Sequence, residues 1–143
     1  MDDGRVVLER KTGETNISVD ISIDGSGQYF VETGISMLDH MLSQLARHGV
    51  FDLRISAEST TDPDGHHVAE DVAILLGRAF GQALGERKGL VRMAHAVVPL
   101  DEALAFVAVD VGGRGYSQID ISFSQDKVGD LTSDMARHFL ETF

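Results

Sequence analysis

The stretch ETNISVDISIDGSGQYFVETGISMLDHMLSQLARHG, Glu14–Gly49, changes its hydrophobic period partway along. In its first part the apolar residues occupy every second position, as in a half-buried strand: Ile17, Val19, Ile21 and Ile23. After Gly34 the apolar residues recur every three or four positions, as in an amphipathic helix that stops at Gly49. A strand pattern followed at once by a helix pattern predicts an α+β fold.

The same two periods extend this prediction along the rest of the chain. A turn at Asp24–Gly27 predicts that Gln28–Glu32 returns as an antiparallel partner of the first strand. Further strands are predicted at Val50–Ala57, Met93–Val98, Leu104–Val111 and Ile119–Phe123, and further helices at His66–Gly85 and Ser133–Phe143. The length, 143 residues, is that of one ordinary domain, so we predict a single domain over residues 1–143.

An internal similarity links two of the predicted helices. Asp39-His40-Met41-Leu42 resembles Arg137-His138-Phe139-Leu140, and a pair of strands precedes each helix. This similarity predicts a duplicated ββαβα unit, with a first repeat at about 5–90 and an incomplete second repeat at about 91–143. On that basis a second HHxxE motif is expected about 26 residues past His138, and the sequence stops before that point.

The composition narrows the classes of partner. A formal net charge of -11 disfavours nonspecific binding to nucleic acid or to an anionic membrane. Because the chain has no cysteine, a metal must be held by His, Asp and Glu, which suits borderline or hard divalent ions. The start MDDGRVVLERKTGE lacks the basic-then-apolar order of a secretory signal, and no apolar run approaches the ~20 residues of a membrane span. We therefore expect a soluble cytoplasmic protein.

The motif GHHVAED, Gly65–Asp71, gathers three metal-binding side chains at a predicted helix start. Glu70 stands four residues after His66 and three after His67, so its carboxylate lies under both rings. Adjacent helical side chains point about 100° apart, so the two rings diverge and are suited to two different ions. The alternative is an ordinary helix start with solvated imidazoles.

Other histidines are weaker candidates. His40 and His138 lie mid-helix among apolar residues, where either a partnered core histidine or a ligand fits. Their matching repeat positions favour the ligand. His48 is well placed to cap a helix C-terminus, and His95 has no feature that suggests a role.

Three charged residues leave two interpretations open. Arg92 and Arg114 each follow a glycine-bearing turn, where a guanidinium could bind phosphate or form an ion pair. Glu14, at the head of the first strand, is by itself an ordinary surface carboxylate.

Taken together, these motifs resemble those of the imidazoleglycerol-phosphate dehydratase family. The resemblance runs through nearly the whole chain and rests on these segments in this order: Glu14-Thr15, Asp24–Gly27, Thr33–Ile35, Leu38–Leu42, His48–Leu53, His66-His67, Glu70-Asp71, Leu76-Gly77, Ala83–Glu86, Pro99–Leu104 and Asp110–Arg114. The chain departs from the family at Ser59-Thr60, where Gly-Asp is usual, at Val68, where Thr is usual, and at Gly115, where proline is common. None of these departures touches a proposed metal ligand.

The resemblance implies a fold, a cofactor and a set of roles. The fold is like the second domain of ribosomal protein S5, assembled as a large homo-oligomeric shell with two Mn²⁺ ions in each complete site between subunits. The implied metal ligands are His40, His66, His67, Glu70 and His138. The implied substrate contacts are Glu14, His40, His48, His66, Glu70, Arg92 and Arg114, and the implied catalytic residues are Glu14, His40, His67 and Glu70.

The implied reaction is the Mn²⁺-dependent dehydration of imidazole glycerol phosphate to imidazole acetol phosphate in histidine biosynthesis, the work of a hydro-lyase on a small phosphorylated imidazole. Glu14 is the candidate for proton transfer, because a carboxylate can both take and return a proton. The alternative is a catalytically incomplete fragment, or a noncatalytic assembly or binding module on the same scaffold.

Overall fold

A computed structural model describes residues 4–143. The first three residues of the predicted 1–143 domain, which also begin the segment MDDGRVVLERKTGE, lie outside the described part. The contacts divide the chain into two compact units. One contains the described residues up to Gly85 together with Ile119–Phe143, and the other is Glu86–Gln118. Among the described residues no helix is both long and apolar enough to cross a membrane.

The described residues contain both strands and helices, which confirms the predicted mixture. In chain order they are β1 (Arg5–Lys11), β2 (Thr15–Ser22), β3 (Tyr29–Glu32), α1 (Ser36–Gly49), β4 (Asp52–Ser59), α2 (His66–Ala83), β5 (Met93–Leu100), β6 (Ala103–Asp110), β7 (Lys127–Val128), β8 (Leu131–Thr132) and α3 (Ser133–Thr142). The duplicated ββαβα unit and its likeness to ribosomal protein S5 remain predictions.

The core of the first unit lies between a four-stranded sheet and its helices. The strand order is β1-β2-β4-β3, with α1 and α2 packed on the sheet and α3 packed on α2. On β2 the predicted inward residues Ile17, Val19 and Ile21 are fully buried. They meet the apolar face of α2, including Val72 and Leu76, so the period of two and the period of 3.6 bury the same core.

The predicted pairing of the second and third strands is wrong. β3 runs parallel to β4, with Tyr29 opposite Leu53, while β2 is antiparallel to both β1 and β4. The reason is that α1 joins β3 to β4 as a crossover, which places those strands side by side and parallel. β1 was not predicted, because its half-buried positions are only Val6, Leu8 and the charged Arg10.

Two further local predictions need correction. α1 includes Gly49 and ends at Val50, which takes the left-handed conformation (φ 59°) and donates its N–H to the Ala46 carbonyl. Ile119–Phe123 forms no strand in the described structure. The carbonyls of Ile119 and Ile121 instead accept hydrogen bonds from the Arg137 guanidinium at 3.3 and 2.7 Å.

The second unit is built on one antiparallel hairpin. β5 pairs with β6 from Met93 opposite Asp110 to Leu100 opposite Ala103, which confirms the two predicted strands. The connection is a two-residue turn, in which Asp101 adopts a positive φ of 48°, a conformation that Asp tolerates better than most residues. Both faces of the two strands are exposed within the described chain.

Candidate metal centre

The site begins at a glycine that starts α2. Gly65 is the N-cap residue and has φ 75°, a left-handed value that glycine adopts without strain. A Cβ at this position would lie 2.8 Å from Ile35 Cδ1, so both backbone angle and packing require glycine. The chain therefore turns sharply out of the Asp/Pro/Gly loop and places His66 and His67 in the first turn of α2.

The two adjacent histidines differ in ring orientation and in their partners. Their ring centroids are 5.6 Å apart and the ring planes meet at 85°. Adjacent helical side chains are separated by about 100° around the axis, so this divergence follows from the helix itself. One small ion cannot be chelated well by both rings, and each ring has its own set of neighbours.

His66 forms a cluster with a residue from another helix. Its ring stacks on the ring of His138 in α3, with centroids 5.1 Å apart and an interplanar angle of 8°. Glu70, one turn along α2, places Oε1 3.6 Å from His138 Nε2. One potential ligand atom from each of these three residues lies within 4.8 Å of the other two. The packing of α3 on α2 thus assembles two imidazoles and a carboxylate.

One atom in this cluster lacks a partner. His138 Nε2 is buried and makes no hydrogen bond, since 3.6 Å to Glu70 is too long for one. Buried polar atoms normally have a partner, and each exception calls for an explanation. A divalent cation fits this position, because imidazole nitrogen and carboxylate oxygen are the donors that such ions accept in a chain without cysteine.

A small cavity adjoins the cluster. Its volume is about 270 Å³, and it is lined by Asp64, His66, Thr132, Asp134, Met135 and His138. Thr132 fixes the wall on the α3 side, because its side chain accepts the Met135 N–H at 3.2 Å and caps the helix. Two carboxylates and two imidazoles around this cavity favour a cation over an anion.

His67 has a carboxylate partner of its own. Its Nδ1 lies 3.1 Å from Asp62 Oδ1 in the loop before α2. The hydrogen bond with Asp62 raises the pKa of His67, and the negative charges of Asp62, Glu14 and Asp64 add to this despite partial desolvation. Sequence reasoning missed Asp62, although an acidic residue shortly before a helix start is a recognised capping signal.

Glu14 lies at the turn between β1 and β2 and contributes to the electrostatic field at His67. Its N–H donates to Thr12 Oγ1 at 3.2 Å, and its carbonyl accepts Ser59 Oγ at 3.0 Å. Its carboxylate is on the surface, as the sequence alone suggested, and it is held at the same end of the sheet as the start of α2.

The residue after Glu70 anchors this arrangement. Asp71 is 6% exposed and accepts hydrogen bonds from Arg10 Nε at 2.7 Å and from the Thr15 hydroxyl. Since Thr15 follows Glu14 directly, Asp71 ties the β1–β2 turn to α2. In the sequence, Asp71 was noted only as part of the family motif. Its position on the buried face of α2 was the signal that could have identified it as the anchor of the β1–β2 turn.

The remaining candidates lie elsewhere. His40 is exposed on α1 and outside the three-residue cluster, because α1 turns Leu38 and Leu42 toward the core. His48, in the last turn of α1, places Nε2 2.9 Å from Gln44 Oε1. His40 therefore does not occupy the core position that was one of its two alternatives.

Both candidate arginines are in the second unit. Arg92 forms two hydrogen bonds with Asp110, at 2.6 and 2.9 Å, which is the ion pair weighed against phosphate binding. This contact raises the pKa of Arg92 above its ordinary value and lowers the pKa of Asp110. Arg114 is exposed beyond the end of β6.

This mixed α/β protein thus brings together two imidazoles and a carboxylate, with one imidazole nitrogen unpartnered, a set of donors that a divalent cation could use. The family is identified by comparison with known proteins. The family model described as imidazoleglycerol-phosphate dehydratase matches residues 33–143. The chain belongs to the imidazoleglycerol-phosphate dehydratase family, whose members are hydro-lyases.

Individual relatives agree with this assignment. The chain is 56% identical over 138 residues to imidazoleglycerol-phosphate dehydratase of Chloroflexus aurantiacus, covering 96% of this chain and 67% of the relative. It is 54% identical over 136 residues to the protein of the same name from Dehalococcoides mccartyi, covering 95% and 68%. The chain thus spans about two thirds of the length of these relatives.

Solved structures share the fold. The crystal structure of imidazoleglycerol-phosphate dehydratase from Staphylococcus aureus superposes with a TM-score of 0.81 at 31% identity, covering 96% of this chain and 76% of that one. The crystal structure of IGPD from Pyrococcus furiosus gives a TM-score of 0.73 at 30% identity, covering 94% and 71%.

Proposed function

We propose that this chain acts in the dehydration of imidazole glycerol phosphate to imidazole acetol phosphate, a step of histidine biosynthesis, with Mn²⁺ as its metal. The observation that carries the proposal is the cluster of His66, Glu70 and His138, in which the buried Nε2 of His138 has no hydrogen-bond partner. Family membership supplies the reaction class, and the cluster supplies the kind of centre that this class of reaction needs.

The first ion would be held by His66, Glu70 and His138. His67, which diverges from His66, and His40 would serve a second ion, giving the two Mn²⁺ ions of a complete site. When bound, such ions act as Lewis acids that draw electron density from the imidazole of the substrate and make the side chain easier to dehydrate. Nitrogen and oxygen donors without a thiolate suit Mn²⁺.

Glu14 is the proposed proton-transfer residue. The reaction removes a hydroxyl from one carbon of the glycerol chain and a proton from its neighbour, and the resulting enol converts to the ketone. Glu14 has an exposed carboxylate on an anchored turn, so it can accept the proton and return one when the ketone forms. The negative charge of Glu14 already acts on His67, which supports a place near the metal-binding side chains.

Arg92 and Arg114 are proposed to bind the substrate phosphate, with His48 as a further substrate contact. A guanidinium can donate two parallel hydrogen bonds to a phosphate as it does to a carboxylate. Arg92 already makes such a pair with Asp110, so phosphate binding would exchange one anionic partner for another. Arg114 is exposed and adjoins Gly113, which has a positive φ of 89°.

A noncatalytic assembly or binding module is the second candidate. The observation that favours it is that only three donors cluster among residues 4–143, whereas two ions need more. In both candidates we propose a homo-oligomeric shell in the cytoplasm. The net charge of -11 supports the expectation of no nucleic-acid or membrane partner.

The test is an assay of the purified chain with imidazole glycerol phosphate and saturating Mn²⁺, with metal content measured on the same samples. We expect metal-dependent formation of the ketone, lost in His138→Ala and retained in His95→Ala, a histidine of the second unit with no proposed role. Bound Mn²⁺ without turnover would favour the binding module. The absence of both bound metal and turnover would contradict the catalytic candidate.

A further inference from the structure

We propose that Asp62 is a positioning residue that fixes the tautomer and direction of the His67 ring, so that Nε2 is left free to bind a metal. The inference rests on the proposed function, because it deepens the role of His67. Asp62 lies outside the HHxxE motif, and the family resemblance in the sequence assigned it no role.

Both oxygens of Asp62 are engaged. Oδ1 lies 3.1 Å from His67 Nδ1, and Oδ2 accepts the Val68 N–H at 2.9 Å. The Asp62 side chain is 1% exposed, whereas that of His67 is 48% exposed. The carboxylate is therefore held by the backbone of α2 and cannot follow the ring if the ring turns. An exposed imidazole acquires a fixed direction from a partner that is itself fixed.

The hydrogen bond determines which nitrogen can bind a metal. A neutral imidazole carries one N–H and one lone pair, so a ring that donates Nδ1–H to Asp62 keeps its lone pair on Nε2. Histidines that bind metals commonly donate their other N–H to a carboxylate, which orients the ring and raises the basicity of the ligand nitrogen. Asp62 and His67 have this arrangement, with the carboxylate of Asp62 next to Nδ1 of His67.

A neighbouring residue provides a matched control. Asp64 lies in the same loop and its charge also acts on His67, but its Oδ1 accepts the backbone N–H of His66 at 3.2 Å rather than a ring nitrogen. Asp62→Asn and Asp64→Asn therefore remove the same charge from the same loop. Only the first replaces the acceptor of the His67 ring.

The first measurement is Mn²⁺ affinity. It is obtained from the decrease of the free-ion electron paramagnetic resonance signal as Mn²⁺ is titrated with the chain. We expect Asp62→Asn to weaken binding by about 10- to 100-fold, the usual effect of losing a carboxylate behind a ligand histidine. Asp64 lines the cavity beside His66 and His138, so Asp64→Asn is the control for the tautomer of the His67 ring, which it should leave unchanged, and not for affinity. An unchanged Mn²⁺ affinity in Asp62→Asn would overturn the proposal.

The second measurement is a double-mutant cycle. In a His67→Ala background, Asp62→Asn should have almost no further effect on Mn²⁺ affinity, because the residue through which Asp62 acts is gone. Additive losses would overturn the proposal and assign the effect to the start of α2, where Asp62 also holds Val68. Circular dichroism of each variant checks that α2 is retained.

A third measurement needs no metal. Nitrogen chemical shifts of the His67 ring in alkaline buffer report which nitrogen carries the proton. We expect the Nδ1–H tautomer in the unsubstituted chain and loss of that preference in Asp62→Asn. The Nε2–H tautomer in the unsubstituted chain would overturn the inference. If the tautomer is as expected and no Mn²⁺ binds, the proposed function fails and the positioning role of Asp62 stands.

Discussion

The first unit and the second unit both contain strands rich in apolar residues, but these strands differ in burial. Ile17 in β2 and Phe106 in β6 both belong to strands with alternating or continuous apolar residues, yet Ile17 is 0% exposed and Phe106 is 67% exposed. β2 lies between two neighbouring strands and is covered by α2, whereas β6 pairs with β5 alone. The apolar pattern of a segment thus predicts a strand, while the burial of that strand depends on the helix that packs on it.

The largest expected effect comes from deleting a side chain on each of these strands. Ile17→Ala should lower the free energy of unfolding by about 3–4 kcal/mol, because it leaves a cavity in a closed core. Phe106→Ala should change it by less than about 0.5 kcal/mol, because the ring is mostly in water. Urea unfolding followed by circular dichroism measures both. A loss at Phe106 as large as that at Ile17 would break the comparison.

The next effect contrasts two Arg–Asp pairs. Asp71 is buried in the first unit and bonded to Arg10 and Thr15, while Asp110 pairs with Arg92 on the surface of the hairpin. Asp71→Ala should cost about 3 kcal/mol, because Arg10 and Thr15 would lose a buried partner. Asp110→Ala should leave the urea midpoint almost unchanged, and any shift should shrink in added salt. A salt-sensitive loss at Asp71 would contradict its buried role.

The smallest expected effect concerns acid stability. Asp130 accepts the N–H groups of Met37 and Ser36 at the start of α1, and these hydrogen bonds lower its pKa. Because the folded pKa is below the unfolded value of about 3.9, the stabilisation is present above that value and is lost as pH falls through the folded pKa. Asp130→Asn should therefore show a flatter loss of Tm between neutral and acid pH.

The matched variant for this prediction is Asp110→Asn. Arg92 also lowers the pKa of Asp110. The stabilisation that Asp110 contributes is therefore also lost as pH falls through its folded pKa. If the first unit dominates stability, Asp130→Asn should alter the acid limb of the Tm profile more than Asp110→Asn does. The reverse ranking would place the acid-sensitive step in the hairpin.

Much of the fold could be predicted because the spacing of apolar residues within a segment indicates whether that segment is a strand or a helix. The alternation at Ile17–Ile23 and the three- and four-residue spacing around Leu38 and Leu42 gave strand and helix with bounds close to those observed. The pairing of β3 could not be read in the same way. A glycine-rich turn looks like a hairpin in the sequence, and only the packing of α1 on the sheet makes β3 parallel to β4.

The candidate site was predictable to the extent that it lies within one helix. Helix geometry predicts that the His66 and His67 rings differ in orientation, and their planes meet at 85°. The contact of His66 with His138 joins two helices distant in sequence, so spacing could not give it. The family resemblance selected both histidines as ligands. The hydrogen bond from His67 to Asp62 depends on how the loop folds back, which no period in the sequence records.

We propose above that His66, Glu70 and His138 hold one metal ion. Anomalous diffraction at the manganese edge, from crystals of the chain grown with Mn²⁺, tests it most directly. We expect a manganese peak within bonding distance of Nε2 of His138, the His66 ring and the Glu70 carboxylate. Bound manganese whose peaks lie only on surface carboxylates, with His138 Nε2 uncoordinated, would contradict it.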